Sequence, residues 1–346
     1  MLVDATCTPA DIRYPTDLSL LNEAREKTEE IIDVLHRPLI GTEKKVRTYR
    51  NRARKEYLMV SKKRKKGKKV LRKAIRKQLS YLKRNLEYIK QLKDKTRLSS
   101  LSNRQYRDLL VISELFHQQN LMFRTGMHSV ENRIVSISQP HVRPIVRGKS
   151  GASVEFGAKL TISVVGGYVF TEKLSWDNYN EGVDLINQIE NYKIRFGYYP
   201  ESVHADKIYL NRANRQFCKG KDIRLSGPRL GKPPKDKEKK RHNKKQQRQD
   251  EIDRIPVEGK FGNGKRKYGL DRIMAKKKDT SESTIGLIIL IMNLEKLRSS
   301  FILLFLYIFI LDIEAEKSGY RQFQRNGKFS DDKYYPNSNI YKLEAA

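Results

Sequence analysis

Apolar positions along the chain change their period several times, and each change marks an element. Leu2 and Val3 precede Asp4, so residues 1–5 read as the end of a short strand close to the chain start. Over 17–36, Leu18, Leu21, Ile31, Ile32 and Leu35 recur among charged residues at helical spacing, and Pro38 stops that helix. Leu71, Ile75, Leu79, Leu82, Leu86 and Ile89 then fall three or four apart, which makes one stripe of a longer helix. A further helical stretch lies around 104–124. From 133 the period shortens. RIVSI and VEFGAKLTISVVGGYVF are rich in Val, Ile, Phe and Tyr with glycine breaks, and they predict strands of a meander. A helix over roughly 177–195 follows, closed by Gly197 and Pro200. Next come a short strand at 202–205 and another in DIRLSGP. Pro233 and Pro234 open a lysine-rich linker, a last helix spans about 248–273, and an apolar stretch covers 285–311. Strands that alternate with helices around one sheet predict a mixed α/β layer, with a large helical insertion after the first strand. No internal repeat is present in the sequence.

Charge sharpens this picture. The net charge is +32, and it is concentrated: residues 44–97 carry 24 Lys/Arg against 3 Asp/Glu, and 219–248 carry 13 against 3. The rest of the chain is close to neutral. Such a balance argues against a small-molecule metabolic enzyme and for a polyanionic partner, most simply nucleic acid. The first basic segment also holds the apolar stripe. It therefore predicts a structured helical hairpin or arm with a basic outer surface, and Lys62, Lys63, Arg64, Lys65 and Lys66 are candidate DNA-binding residues. The second segment fits a solvated face or a flexible run equally well.

Two cysteines, Cys7 and Cys218, are too few for a disulfide framework or a four-cysteine zinc site, so a reducing, cytoplasmic setting is expected. The start of the chain lacks the pattern of a secretory signal. FILLFLYIFIL at 301–311 raises a membrane alternative, but as a helix it is about 17 Å long against roughly 30 Å of bilayer core. A buried or interface helix is the better expectation.

Asp4 and Asp206 sit in matching contexts, each after a short apolar run (Leu2-Val3 and Val203-His204-Ala205), and so each is expected at the carboxyl end of a strand. Glu258 lies in a helix-compatible stretch. Three carboxylates converging on one place suit a hard divalent cation, and a pair of such ions can drive phosphodiester cleavage.

Three ordered blocks carry a resemblance: DATCTPADIRYPTDLSLLNEARE at 4–26, VHADKIYLNRANRQFCKGKDIRLSGPRLGKP at 203–233 and DRIPVEGKFGNGKRKYGLDRIMAKK at 253–277. They resemble the catalytic blocks of bacterial insertion-sequence DDE transposases of the IS-five-like superfamily. The resemblance implies an RNase H-like mixed sheet flanked by helices. It makes Asp4, Asp206 and Glu258 the catalytic, metal-binding acids for two Mg²⁺ ions, with Mn²⁺ as a substitute. It implies transposon-end and target DNA as partners of a homodimer, metal-dependent end cleavage and strand transfer, and a place at the bacterial nucleoid, with no membrane and no small-molecule substrate.

Related transposases carry Tyr-x2-Arg-x3-Glu-x6-Lys around the last acid. Arg254, Glu258 and Lys265 fit its last three elements and share one helical face, where Arg254 and Lys265 would hold DNA phosphates beside the metal site; Glu251 stands in the tyrosine position. Three residues precede Asp4, where the family has an amino-terminal DNA-binding region and a full first strand. The alternative reading is therefore a truncated, inactive remnant that binds DNA nonspecifically.

The expected divisions are 1–36 and 133–300 for the catalytic domain, 37–132 for the basic insertion, with the basic linker 219–248 inside the second part, and 301–346 for an apolar helix and polar tail. Trp176 is expected to pack rather than stack on a base. His204 is left out of the site, on the expectation that strand alternation turns it away from Asp206. Gly262-Asn263-Gly264 is a turn signal expected to bend the last helix.

Overall fold

The computed structural model describes residues 1–146, 154–228, 231 and 236–326, and side chains up to residue 310. Pro233, Pro234 and residues 327–346 lie outside the described residues. The chain divides into two compact units, 1–293 and 294–346.

The first unit is built on a mixed sheet. Strand β1 (Leu2–Pro9) is followed by four helices: α1 (Asp17–His36), α2 (Arg50–Ser61), α3 (Lys68–Lys95) and α4 (Asn103–Thr125). Then come β2 (Arg143–Val146), β3 (Val154–Val165), β4 (Tyr168–Ser175), helix α5 (Leu185–Phe196), β5 (Ser202–Val203), helix α6 (Arg212–Gly220), β6 (Arg224–Leu225) and helices α7 (Lys237–Tyr268) and α8 (Lys278–Asn326).

β3 is the central strand. β1 runs antiparallel along one edge of it, from Leu2↔Val164 to Pro9↔Gly157. β4 runs along the other edge, and β2 continues that edge beyond it, since Gly157 pairs with both Pro9 and Arg143. β5 adds to the free side of β1 in parallel: the Val3 amide donates to His204 O and the His204 amide to Met1 O, each at 2.9 Å. β6 then pairs in parallel with β5. The resulting order is β4–β3–β1–β5–β6.

Alternation along β3 sets the two faces. Ala158, Leu160, Ile162 and Val164 pack with Val257 and Phe261 of α7 and with Ile285, Ile288, Ile289 and Met292 of α8. Val3, paired with Ser163, lies on the opposite face with Leu185, Ile189, Val203 and Ile223. Asp4, paired with Ile162, therefore shares the face covered by α7.

The helices between β1 and β2 form a second core. Leu20, Leu21 and Ala24 of α1 pack with Leu79 and Leu82 of α3 and with Ile112 and Leu115 of α4. The apolar stripe predicted on α3 is thus the packing face, with Lys and Arg left outside. α2 folds back on α3 as a hairpin: Gln78 Nε2 donates to Ala53 O at 3.1 Å, and Lys77 and Tyr81 both reach Glu56.

Several expectations need correction. β1 has eight residues, and Asp4 lies within it rather than at its carboxyl end, because β3 supplies a pairing partner out to Pro9. RIVSI is not a strand. Ile134, Val135 and Ile137 are buried, but the Ile134 amide donates to the Gln118 side chain instead of to a ladder. The helix expected from 177 begins at Leu185, after a short 3-10 turn at Glu181–Val183. The basic run from Lys237 is helix, not linker, and belongs to α7. Gly262 and Gly264 lie inside α7, which ends at Gly269 in a left-handed conformation. Gly264 is there for closeness: a Cβ would meet Leu270 Cδ2 at 3.1 Å and Met292 Sδ at 3.3 Å. Trp176 packs as expected, edge-on to His141 with Nε1 donating to Glu282 at 2.8 Å.

The second unit continues α8, and the apolar side chains from Phe301 to Ile310 are exposed. Among the described residues no helix is long and apolar enough to cross a membrane.

Candidate active site

β1, the end of β5 and α7 bring the candidate acids into one neighbourhood. Asp4 is half-buried, and its Oδ1 accepts the Ala5 amide at 2.8 Å. Asp206 follows β5 and caps the short turn after it, with Oδ1 accepting the Lys207 amide at 2.7 Å. Glu258 projects from the third quarter of α7, where Val257 and Phe261 anchor the helix to the sheet.

Arg254 joins two of these acids. Its Nη1 lies 3.0 Å from Asp206 Oδ1, and its Nη2 donates to Glu258 Oε1 at 3.1 Å. The four-residue offset predicted for Arg254 and Glu258 thus produces a contact along the helix face, and the guanidinium spans from there to the turn after β5. Lys265 is half-buried two turns further along α7, and Glu251 is exposed. Lys62, Lys63, Arg64, Lys65 and Lys66 are all exposed at the tip of the α2–α3 hairpin.

The electrostatics single out Asp4. Burial pushes its carboxyl from an ordinary 3.8 up to about 6. The Ala5 amide and the Arg254 guanidinium pull it down, while Glu181 and Asp206 push it further up. Glu181, which the sequence reading did not notice, is held by Lys159 at 2.8 Å. Asp4 is therefore a carboxylate short of positive charge, next to two that share one guanidinium.

A second polar cluster also escaped the sequence reading. His204 is buried, and so is Asp250 on α7; with Asp253 they place one ligating atom each within 4.8 Å of one another. Arg224 Nη1 donates to Asp250 Oδ1 at 2.6 Å. Burial opposes the Asp250 charge, but Arg224, Gln246 and the Gly227 amide outweigh it and hold its carboxyl below the usual range. Burial, followed by the Arg224 charge, holds His204 down as well. The expectation that strand alternation turns His204 away from Asp206 was mistaken: residues two apart on an extended backbone share a face, and both side chains reach α7. The signal that could have found the cluster was that offset from Asp206, together with Asp250 one helical turn before Arg254.

No curated protein and no solved structure matches the chain. Residues 203–295, the stretch that carries Asp206, Arg254 and Glu258, match the family model of the transposase DDE domain, and to that domain this part of the chain is similar.

Proposed function

We propose that the chain is a metal-dependent DNA transposase, with Asp4, Asp206 and Glu258 as its catalytic acids. The observation that carries this reading is Arg254 held between Asp206 and Glu258 beside the half-buried Asp4, within and next to the stretch similar to a transposase DDE domain. The sheet supports an RNase H-like core: it has antiparallel strands on one side of β1, parallel strands on the other, and helices on both faces.

The donor set fits divalent ions. It consists of hard carboxylate oxygens, one of them desolvated and only partly compensated, and a guanidinium already stands in as a cation between the other two. Two Mg²⁺ ions, or Mn²⁺ in their place, would supply Lewis acidity and activation of the attacking oxygen when bound.

The chain's own residues do the rest. Arg254 and Lys265 bind phosphates of the DNA next to the acids, and the Lys62–Lys66 tip holds duplex by charge. Asp206 and Glu258 orient the Arg254 fork toward a phosphate. In the first step the oxygen of water bonds to phosphorus and a 3′-oxygen leaves with a proton. In the second the oxygen of that 3′-hydroxyl bonds to a target phosphorus, its proton is lost, and the target strand's 3′-oxygen leaves and takes up a proton. Two ends must be cut and joined together, so the reading includes a homodimer on DNA, at the nucleoid in the cytoplasm.

Mg²⁺-dependent nicking and strand transfer on DNA bearing transposon ends test the proposal. Equal activity in wild type and Glu258→Gln would overturn the assignment of that residue. A second reading, an inactive DNA-binding remnant, draws on the engagement of both Asp206 and Glu258 by Arg254. Steep salt-dependent duplex binding without any cleavage would favour it.

A further inference from the structure

Between the parallel edge of the sheet and α7, His204, Asp250 and Asp253 enclose a second place for an ion. The His204 side chain is 7% exposed, and its Nδ1 has no hydrogen-bond partner. That nitrogen faces Asp250 Oδ1 at 3.9 Å, too far for a hydrogen bond. Two ligands about 2.1 Å from one tetrahedral ion lie roughly 3.4 Å apart, so a small contraction would bring the pair to coordination distance. On the other side of the ring, Nε2 is 3.2 Å from Ser202 Oγ. Once Arg224 leaves Nε2, that nitrogen can carry the hydrogen and donate it to Ser202, and the imidazole then presents its Nδ1 lone pair toward Asp250. Metal-bound histidines are commonly oriented in this way by their second nitrogen.

Arg224 holds the place meanwhile. Its Nη1 neutralises Asp250, and its Nη2 lies 3.3 Å from His204 Nε2. Its side chain is 43% exposed, so it can turn into solvent when another cation arrives. Gln246 and the Gly227 amide remain to orient Asp250, and Gln249 orients Asp253.

We propose that His204 Nδ1, Asp250 and Asp253 bind one borderline divalent cation of the Zn²⁺ type, which clamps the end of β5 to α7. One imidazole and two carboxylates suit Zn²⁺ better than Mg²⁺, which demands oxygen ligands in octahedral geometry. The clamp sits where spacing matters. The His204 main chain is bonded to Met1, just ahead of β1, and to Val3 within it, and Asp206 follows two residues later. Asp250 and Asp253 precede Arg254 and Glu258 on the same helix. The ion would therefore fix the separation of the elements that carry Asp4, Asp206 and Glu258, without being one of the reacting ions.

The test uses the full chain. Co²⁺ is titrated in while the visible absorption of N/O-bound cobalt is followed, Zn²⁺ then displaces it, and zinc is counted after dialysis. One zinc per chain is expected, retained in the triple variant Asp4→Asn, Asp206→Asn, Glu258→Gln. Asp253→Asn, a half-buried change, should weaken binding at least tenfold, and Arg224→Ala should tighten it about threefold by removing the competing cation. Equal affinity in wild type and Asp253→Asn, loss of zinc in the triple variant, or weaker binding in Arg224→Ala would each overturn the site. None of these readouts requires DNA cleavage, so failure of the transposase reading would leave a distinct result.

Discussion

The Arg254 guanidinium lies 3.0 Å from the Asp206 carboxylate, and the partners come from different elements, α7 and the turn after β5. The same side chain reaches Glu258 one turn along its own helix. Both carboxylates are more than half exposed, so the pairs add little to stability, about 1 kcal/mol at most in water. Their arrangement is better explained by what the fork is aimed at than by the fold it supports.

Arg254→Ala should accordingly separate activity from stability. Urea unfolding at pH 7.5 should shift by less than about 1 kcal/mol. Nicking of end-bearing DNA should fall by about tenfold or more, as expected when a charge-assisted phosphate contact worth about 1.5–3 kcal/mol is removed. Arg254→Lys should recover only part of that activity, because an ammonium cannot reproduce the bidentate fork. Unchanged nicking in both variants would remove Arg254 from the site.

Asp4 gives a pH dependence with a definite sign. Its folded value, about 6, lies above its ordinary 3.8, so folding favours the protonated form. Between about pH 4 and 6 the folded state binds the extra proton, and stability falls as pH rises through that window. Asp4→Asn keeps an acceptor for the Ala5 amide but carries no charge. The variant should be more stable than wild type at pH 7.5, by up to about 3 kcal/mol, and nearly equal to it at pH 4. Denaturant midpoints measured at the two pH values check this. A stability gain independent of pH would show that desolvation of the Asp4 charge is not the cause.

The hairpin tip should govern affinity without governing specificity. Replacing Lys62, Lys63, Arg64, Lys65 and Lys66 by Ala removes five exposed cations from a turn with no packing role. The slope of log binding constant against log salt should become shallower by up to about 4.5, with the loss similar on end-bearing and random duplex. Thermal unfolding should not move. Filter binding or fluorescence anisotropy across a salt series measures the slope, and an unchanged slope would place the DNA path elsewhere.

Sequence pattern revealed elements whose signals are local. α1 begins and ends where the pattern set it, because Thr16 and Ser19 close a capping box and Pro38 follows the last turn. The β3–β4 hairpin was legible from Gly166 and Gly167. Elements fixed by distant partners were not. β1 was read as ending at residue 5, yet it runs on to Pro9, and Thr6 and Thr8 in that extension are both buried against β3, with Thr8 Oγ1 donating to Ala158 O. α7 hid its start in polar residues without a period. It also carries Pro256 and three glycines, Gly259, Gly262 and Gly264, that would weaken an isolated helix, and packing of Val257, Phe261 and Gly264 holds it together. The offset of Arg254 and Glu258 was readable as a helix face; that the guanidinium also reaches Asp206 depends on the β5–α7 approach, which no short-range pattern encodes.

Gly157 tests whether the β1–β3 approach sets the position of Asp4. A Cβ on Gly157 would run into the Thr8 carbonyl and lie 2.8 Å from Pro9 Cα, both backbone atoms that no rotamer change can move. Ala at this position must push β1 off the central strand, five residues from Asp4. Gly157→Ala should cost on the order of 2–4 kcal/mol in urea unfolding, the range of backbone strain and lost core packing. Gly67 is the control: its φ is −64° and nothing lies near a Cβ there, so Gly67→Ala should change stability by less than about 1 kcal/mol. If Gly157→Ala folds at reduced stability, nicking should fall by more than the unfolded fraction accounts for, because Asp4 has shifted relative to Arg254. Stability equal to that of Gly67→Ala would mean that the two strands can separate without strain, and that Asp4 is positioned by β5 instead.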